Sequence, residues 1–222
     1  MLFGEKKVKV THTLLIGNGE TLPKFLLKKL SQQANFVLAA DGGANRALSC
    51  GITPDLVIGD LDSISDKTQK QLPAEKILFV DNQNNTDLEK ALDFLSGNGC
   101  KACTIAGFAG GRLDFTLGNF LSVYPYLKKM DISFVGNGWT IYPLTSGKKF
   151  STEKGARVSI IPLKNCTEVT LTGLKFPLHK ARLNWQRAGR TLSNETTDKT
   201  FSVQMKNGFM LVYIEQKPNE CA

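Results

Sequence analysis

The chain contains 222 residues, of which 41% are hydrophobic and 22% charged, a composition that suits one large globular domain or two smaller ones. No apolar run is long enough to cross a membrane, and the N-terminal residues lack the apolar core of a secretion signal. We therefore expect a cytoplasmic protein with no membrane partner. The net charge of +8 comes largely from lysines spread along the chain, which suits an anionic small substrate as well as a nucleic acid.

The first part of the chain alternates short apolar strands with segments of helical period. Six strands are predicted, at residues 8–17, 35–40, 56–58, 76–80, 102–107 and 132–135. Five helices are predicted between them, at residues 22–30, 44–50, 66–72, 86–95 and 110–129. Thr86 and Glu89 have the spacing of a capping box at the start of the fourth helix. This alternation predicts a layered, mostly parallel sheet with right-handed crossovers.

Beyond Gly138 the helical period disappears and turn residues separate short strands. Five strands are predicted there, at residues 139–144, 157–162, 168–171, 201–205 and 209–214. The pattern favours an all-β domain of sandwich or barrel type. We therefore predict an α/β fold of two domains, a mostly parallel layered domain at residues 1–137 and an all-β sandwich-like domain at residues 138–222.

Five cysteines at irregular spacing, in a chain without an export signal, favour free thiols. Cys100 and Cys103 form a C-x-x-C pair, but this pair runs from a loop into a predicted strand instead of opening a helix. A zinc site would need a second pair of ligands, and the chain has only two histidines. We therefore favour free thiols over a redox or zinc role.

Two aspartates, Asp60 and Asp62, directly follow the buried strand at residues 56–58. At a spacing of i, i+2 in extended chain their side chains point the same way. Two like charges this close repel each other unless a cation binds between them or one carboxylate takes up a proton. Mg²⁺ prefers such oxygen ligands. An ordinary acidic turn explains this segment equally well when it is considered alone.

Three further polar clusters follow other predicted strands: Asp41-Gly42-Gly43, residues 83–87, and Gly110-Gly111-Arg112 with Asp114. In a parallel sheet these clusters share one edge, where ligands bind. Carboxylates bind Mg²⁺, glycine N–H groups approach phosphate closely, and arginine supplies a fork of donors. Asp87 and Asp114 would each also suit the first turn of a helix without any function. Their convergence on one edge favours a site for a metal and a polyphosphate.

Six motifs in this order resemble those of the thiamine pyrophosphokinase family. Four lie in the first domain, at Asp41–Arg46, Gly59–Ile64, Thr86-Asp87 and Gly111–Asp114, and two in the second, at Gly173–Leu178 and Leu192–Glu195. The resemblance spans residues 16–214. It implies transfer of a pyrophosphoryl group from ATP to the thiamine hydroxyl, which yields thiamine diphosphate and AMP. It also implies Mg²⁺ as the cofactor and a homodimer whose sites are shared between subunits.

The same resemblance implies roles for individual residues. The metal ligands would be Asp60, Asp62, Asp87 and Asp114. The nucleotide would lie by Asp41, Gly42, Gly43, Asn45 and Arg112, and thiamine by Gln83, Phe176, Ser193 and Asn194. The sequence departs from the family at two positions. Asn84 stands where relatives often have an acidic residue, which leaves the number of metal ions open, and Phe176 replaces a tryptophan found in some relatives.

The chemistry of this transfer requires positioning and charge neutralisation more than covalent catalysis, because the hydroxyl attacks the β-phosphorus in line with the departing AMP. Arg112 could stabilise charge in the transition state. Asp62, Asp87 or a phosphate oxygen could accept the hydroxyl proton, and the sequence does not choose among them. Thiamine carries a cationic aromatic ring, so the face of Phe176 suits it, although packing in a β-domain core is an alternative for this residue.

Three other functions compete with this interpretation. A pyrophosphokinase for another hydroxymethyl heterocycle, such as a pterin, is disfavoured because the second domain carries thiamine-type motifs. A non-catalytic binder of thiamine or nucleotide is disfavoured because all four predicted metal-ligand aspartates are retained. Nucleic-acid binding depends on the net charge alone, since no aromatic residues interleave a basic stripe.

Overall fold

The computed structural model of the protein describes residues 10–216 and the backbone of two short strands before them, β1 (Leu2–Phe3) and β2 (Lys6–Lys7). The chain forms two compact units that divide between Gly136 and Asn137. Across the described residues, no helix has both the length and the apolar character to span a membrane. The fold has the two predicted parts, a mostly parallel α/β sheet followed by an antiparallel β-sandwich.

The strands of the first unit form a parallel sheet. They are β3 (His12–Ile16), β4 (Phe36–Ala40), β5 (Leu56–Gly59), β6 (Ile77–Phe79), β7 (Ala102–Ala106) and β8 (Asp131–Gly136). Their order is β8-β7-β3-β4-β5-β6, and every neighbouring pair is parallel. All residues of β4 and β5 are buried, as expected of parallel strands covered on both faces. The predicted start of the first strand at residue 8 lies outside the described residues.

The strand order places a switch point between β3 and β7. From β3 the chain adds β4, β5 and β6 on one side and then returns to add β7 and β8 on the other. Loops that leave the carboxyl ends of β3 and β7 therefore diverge, and a crevice forms where ligands bind in sheets of this kind.

Five α-helices accompany this sheet in the described part of the chain. They are α1 (Lys24–Gln33), α2 (Gly43–Ser49), α3 (Asp66–Gln71), α4 (Asp87–Gly97) and α5 (Leu113–Ser122). The predicted capping box of α4 is confirmed, because the Thr86 hydroxyl accepts from the Glu89 N–H and the Glu89 carboxylate accepts from the Thr86 N–H.

The predicted extension of α5 to residue 129 is wrong. The helix ends at Ser122, and a 3₁₀ turn follows at Tyr124–Tyr126. Pro125 explains the early end, since proline has no N–H to donate and disfavours the helical conformation of the residue before it.

Close approach of two loops positions the start of α2. A Cβ atom on Gly43 would lie 2.1 Å from the carbonyl oxygen of Ile16, at the end of β3. Only glycine permits this contact. The loop after β4, which carries Asp41, is thereby held directly against the end of β3.

The second unit is a sandwich of two antiparallel sheets. One contains β9 (Trp139–Leu144), β11 (Arg157–Pro162), β14 (Asn194–Glu195) and β16 (Met210–Glu215) in the order β14-β11-β16-β9. The other contains β10 (Lys148–Ser151), β12 (Cys166–Thr172), β13 (Leu178–Leu183) and β15 (Thr200–Gln204) in the order β10-β15-β12-β13. Side chains from both sheets, such as Val158 and Phe201, share one core.

Three strands of the second unit were not predicted, namely β10, β13 and β14. The edge strand β13 has no fully buried residue and includes His179, Lys180 and Arg182, so it lacks the apolar alternation that identifies a strand. Two residues are too few to show any period in β14. A 3₁₀ segment, Trp185–Thr191, follows β13 where the sequence indicated no element.

The four cysteines among the described residues are free, as predicted, and the structure shows that all four are buried. Burial raises the pKa of the Cys103 thiol well above its ordinary value. A thiol with a raised pKa is a poor nucleophile and a poor metal ligand, which agrees with a packing role for the C-x-x-C pair.

Candidate active site

A cavity of about 800 Å³ opens beside the carboxyl ends of the parallel strands, at the switch point of the sheet. Loops from four strand ends, the start of α4 and residues of α5 form its walls. The lining includes Asn18 and Gly19 after β3, Asp41 after β4, Ser63 after β5, Gly107, Phe108 and Gly110 to Arg112 after β7, and Asp87. Its volume is in the range of cofactor and nucleotide sites.

Three carboxylates meet at this edge of the sheet. Asp41, Asp60 and Asp62 each offer an oxygen atom, and these atoms lie within 4.8 Å of one another. Asp41 is buried, with 4% of its surface exposed, and one of its carboxylate oxygens accepts a hydrogen bond from the Ser63 N–H at 3.3 Å. An oxygen-only donor set of this size fits Mg²⁺. The sequence predicted Asp60 and Asp62 for the metal but assigned Asp41 to the nucleotide.

A buried lysine on α4 holds two of the acidic residues. Lys90 Nζ donates to Asp60 Oδ2 at 3.3 Å and to Asp87 Oδ1 at 3.2 Å, and its side chain is 4% exposed. Burial raises the pKa of Asp87 above its ordinary value, while the hydrogen bond and the charge of Lys90 limit that rise. Lys90 was not predicted as a site residue, although its position three residues after Asp87 on a helix is a recognisable ion-pair spacing.

Arg112 and Asp114 form a separate pair at the cavity wall. Arg112 Nη2 donates to Asp114 Oδ2 at 2.6 Å and its Nε donates to Oδ1 at 3.2 Å. The same guanidinium lies 4.3 Å from the centre of the Phe115 ring. The arginine holds the pKa of the Asp114 carboxyl below its ordinary value. Asp114 is therefore engaged with Arg112, and it is not among the three clustered carboxylates.

Asn45 holds the loop that carries Asp62. Its Nδ2 donates to the Ser63 carbonyl at 2.8 Å, and its Oδ1 accepts from the Ser65 N–H at 3.1 Å. Gly42 and Gly43 form the turn into α2. Neither of these glycines lines the cavity, and Asn45 does not line it either. A residue that was not predicted, Arg46, does line it and donates to the Thr21 hydroxyl.

Three of the four residues predicted to face thiamine lie together in the second unit. Asn194 is buried, its Oδ1 accepts from the Phe176 N–H at 3.0 Å, and its Nδ2 donates to the Phe176 carbonyl at 2.8 Å. Phe176 has 63% of its surface exposed. The alternative prediction, that this residue packs in the core of the β-domain, is therefore wrong. Ser193 adjoins them and has a left-handed φ of 58°. Gln83 lies on an exposed loop of the first unit.

Two family models match successive parts of the chain. Residues 27–135 match the catalytic domain of thiamin pyrophosphokinase. Residues 142–210 match the vitamin B1 binding domain of thiamin pyrophosphokinase. The matches follow the division of the structure into an α/β unit and a β-sandwich unit.

Similar proteins agree with these models over most of the chain. A thiamine pyrophosphokinase of Bacillus subtilis is 28% identical over 203 residues, which are 86% of this chain and 93% of the relative. Thiamine pyrophosphokinase 3 of Oryza sativa is 27% identical over 205 residues, 78% of this chain and 75% of the relative. The crystal structure of the Bacillus subtilis thiamine pyrophosphokinase covers 93% of this chain and 100% of its own, with a TM-score of 0.82 and 24% identity. The match to the crystal structure of yeast thiamin pyrophosphokinase covers 98% of this chain and 89% of the yeast chain, with a TM-score of 0.80 and 18% identity.

The fold, the cavity at the switch point and these matches define an enzyme, a pyrophosphotransferase of the kinase type. The chain belongs to the thiamine pyrophosphokinase family. This agrees with the resemblance of its six motifs.

Replacing Lys90 with Gln is expected to shift the acid limb of the pH–rate profile of pyrophosphoryl transfer to higher pH. Lys90 lowers the pKa of Asp87, so its loss lets that pKa rise further, and the ionised carboxylate disappears at a higher pH. A shift of one pH unit corresponds to about a tenfold loss on the acid side. Lys101→Gln, which removes an exposed lysine, is the control. An unchanged pH–rate profile in Lys90→Gln would contradict the conclusion that Lys90 lowers the pKa of a carboxylate needed for activity.

Proposed function

We propose that this protein transfers the pyrophosphoryl group of ATP to the hydroxyl of thiamine and releases thiamine diphosphate and AMP. The observation that carries the proposal is the convergence of Asp41, Asp60 and Asp62 beside a nucleotide-sized cavity at the switch point of the sheet. A family model named for catalysis and one named for vitamin B1 binding support the same reaction. In this proposal the first unit binds nucleotide and metal, and the second provides most of the residues that bind thiamine.

Mg²⁺ is the metal that we propose for the acidic cluster. Asp41, Asp60 and Asp62 would hold it, and its charge would offset that of the polyphosphate. Asp87 and Asp114 were also predicted as ligands, but neither belongs to the three carboxylates whose oxygen atoms lie within 4.8 Å of one another. We therefore assign Asp87 and Asp114 supporting roles next to the cluster.

The protein's own cations act on the phosphates of the nucleotide. Arg46 and Arg112 line the cavity, and a guanidinium group suits phosphate oxygens. Gly110 and Gly111, both with left-handed φ values, form a wall without side chains. Such a wall lets backbone N–H groups approach an anion closely.

Asp87 is the residue best suited to accept the proton of the thiamine hydroxyl. Burial raises its pKa above that of an ordinary aspartate, which makes it a stronger base once ionised. It also lines the cavity. Asp62 and a phosphate oxygen are the alternatives.

Thiamine binding is assigned to Phe176, Ser193, Asn194 and Gln83. The exposed ring of Phe176 offers a face to the cationic thiazolium, and Asn194 fixes the backbone that carries this ring. The arrangement favours a preformed pocket wall, since a ring on a restrained backbone loses little freedom upon binding.

A homodimer is proposed as the working form. The surface of α5 carries a stripe of leucines at i, i+4 and i+8, which are Leu113, Leu117 and Leu121, with 80%, 57% and 46% of their surfaces exposed. Leucines at this spacing lie on one face of a helix. An exposed apolar stripe of this kind is typical of a protein–protein interface.

The function is tested by measuring AMP release with ATP, Mg²⁺ and thiamine for the wild type and for Asp62→Ala. We expect thiamine-dependent AMP from the wild type and a loss of at least about a hundredfold in the variant, because a ligand for the charge-neutralising metal is removed. Asp66→Ala, which removes an exposed carboxylate outside the cluster, should retain activity. Thiamine binding by calorimetry without AMP release would favour the non-catalytic binder, and release that requires a hydroxymethyl pterin would favour the other pyrophosphokinase.

Replacing Phe176 with Leu is expected to raise the KM for thiamine several-fold and to leave the KM for ATP unchanged, because a cation–π contact contributes about 0.5–2 kcal/mol. Phe176→Trp should restore or lower the KM, since tryptophan provides the better face. Phe25→Leu, at another exposed phenylalanine, is the control. Equal KM values in all variants would remove Phe176 from the thiamine site.

Sedimentation velocity tests the proposed assembly. Wild-type protein is expected to sediment as a dimer, and Leu117→Glu is expected to shift it towards monomer by placing a charge in an apolar interface. Phe79→Glu changes an equally exposed apolar residue away from α5 and should leave the dimer intact. A monomeric wild type would overturn the assembly.

A further inference from the structure

A second concavity in the β-sandwich unit is lined by three arginines. It has a volume of about 270 Å³ and lies beside β13 and the 3₁₀ segment Trp185–Thr191. Arg182 enters it from β13, and Arg187 and Arg190 enter it from the 3₁₀ segment. The other lining residues are Pro162, Leu183, Asn184, Gln186 and Thr191. We call this the arginine cavity, and among the described residues no acidic side chain lines it.

The segment that carries Arg187 and Arg190 is tied at both ends. At its start, Asn184 Oδ1 accepts from the Gln186 N–H at 2.9 Å. At its end, the Thr191 hydroxyl donates to the carbonyl oxygen of Ile160 on β11. The second bond holds the end of the segment against the sandwich, and both arginines line the same concavity as Arg182.

In the described part of the chain, none of the three arginines makes an ion pair or a hydrogen bond through its side chain. Other arginines do so, since Arg157 pairs with Glu215 at 3.4 Å and Arg112 pairs with Asp114. Like charges held together on an anchored segment repel one another. A bound anion would remove that repulsion, and the absence of an acidic wall leaves the donors available to it.

The net charge of the protein is concentrated in the same unit. Residues 137–222 contain 13 Lys and Arg but 6 Asp and Glu, whereas residues 1–136 contain 15 and 14. Thiamine is a cation, so its binding does not call for an excess of positive charge. An excess of positive charge favours binding of an anionic ligand, and the positive field around this unit would also raise the rate at which such a ligand associates.

We propose that the arginine cavity binds a diphosphate group. Guanidinium forks pair bidentately with phosphate oxygens, and three of them match a multiply charged anion. The volume admits a diphosphate but is small for a whole nucleotide. Diphosphate groups occur in free pyrophosphate, in ATP and in thiamine diphosphate, and only the relevance of the last two rests on the proposed function.

Isothermal titration with inorganic pyrophosphate, in EDTA and without thiamine, tests the site directly. We expect wild-type protein to bind pyrophosphate, and Arg187→Gln/Arg190→Gln to bind it at least about tenfold more weakly, with an affinity that falls as salt is raised. Lys154→Gln/Lys199→Gln removes the same charge from exposed positions of the same unit and is expected to bind like the wild type.

Equal affinity in wild type and arginine variant, or no binding by the wild type, would overturn the proposal. An equal loss in the lysine variant would also overturn it, because the effect would then be one of net charge. Circular dichroism of each variant checks its folding, and Arg182→Gln, on a different element, provides an independent variant expected to weaken binding.

Competition against pyrophosphate identifies the source of the group. Displacement by thiamine diphosphate assigns the cavity to the product, displacement by ATP assigns it to the co-substrate, and displacement by neither assigns it to the free anion. AMP, which has a single phosphate, is expected to compete at least about tenfold more weakly. Because no turnover is involved, a failure of the proposed transfer reaction would appear only in the AMP assay, and a failure of the arginine cavity only in this titration.

Discussion

Repulsion among carboxylates at one edge of the parallel sheet is the constraint on which the rest of the site depends. Asp41, Asp60 and Asp62 converge within 4.8 Å, and Asp87 lies close enough for the charges of Asp41 and Asp60 to raise its pKa. Lys90 offsets part of this repulsion from a buried position between Asp60 and Asp87. A divalent cation would offset the remaining repulsion among the carboxylates, so this cluster favours binding of the metal that a polyphosphate requires.

Close packing at a glycine and side-chain hydrogen bonds to the backbone hold the loops that carry these charges. Gly43 brings the loop of Asp41 against the end of β3, where any side chain would collide with the carbonyl of Ile16. Asn45 ties down the loop of Asp62 through both ends of its amide. Gly42, Gly43 and Asn45 thus support the site without lining the cavity.

Local signals were sufficient for much of the fold. Buried parallel strands appear as continuous apolar runs, as in β4 and β5, and the capping box at Thr86 is complete within four residues. Sequence periodicity did not predict the strands that have no apolar face of their own. The edge strand β13 and the two-residue strand β14 owe their conformation to pairing with distant strands, and α5 ended earlier than its period indicated because of Pro125.

The sequence by itself determined the two-part architecture, the family and the acidic motifs, because periodicity and motif spacing are properties of neighbouring residues. Only the tertiary structure decided which charges meet. It grouped Asp41 with Asp60 and Asp62, engaged Asp114 with Arg112, and placed Lys90 between Asp60 and Asp87. It also gathered Arg182, Arg187 and Arg190 around one cavity. The physical reason is that electrostatic partners are chosen by distance in space, which depends on strand order and loop contacts far apart in the chain.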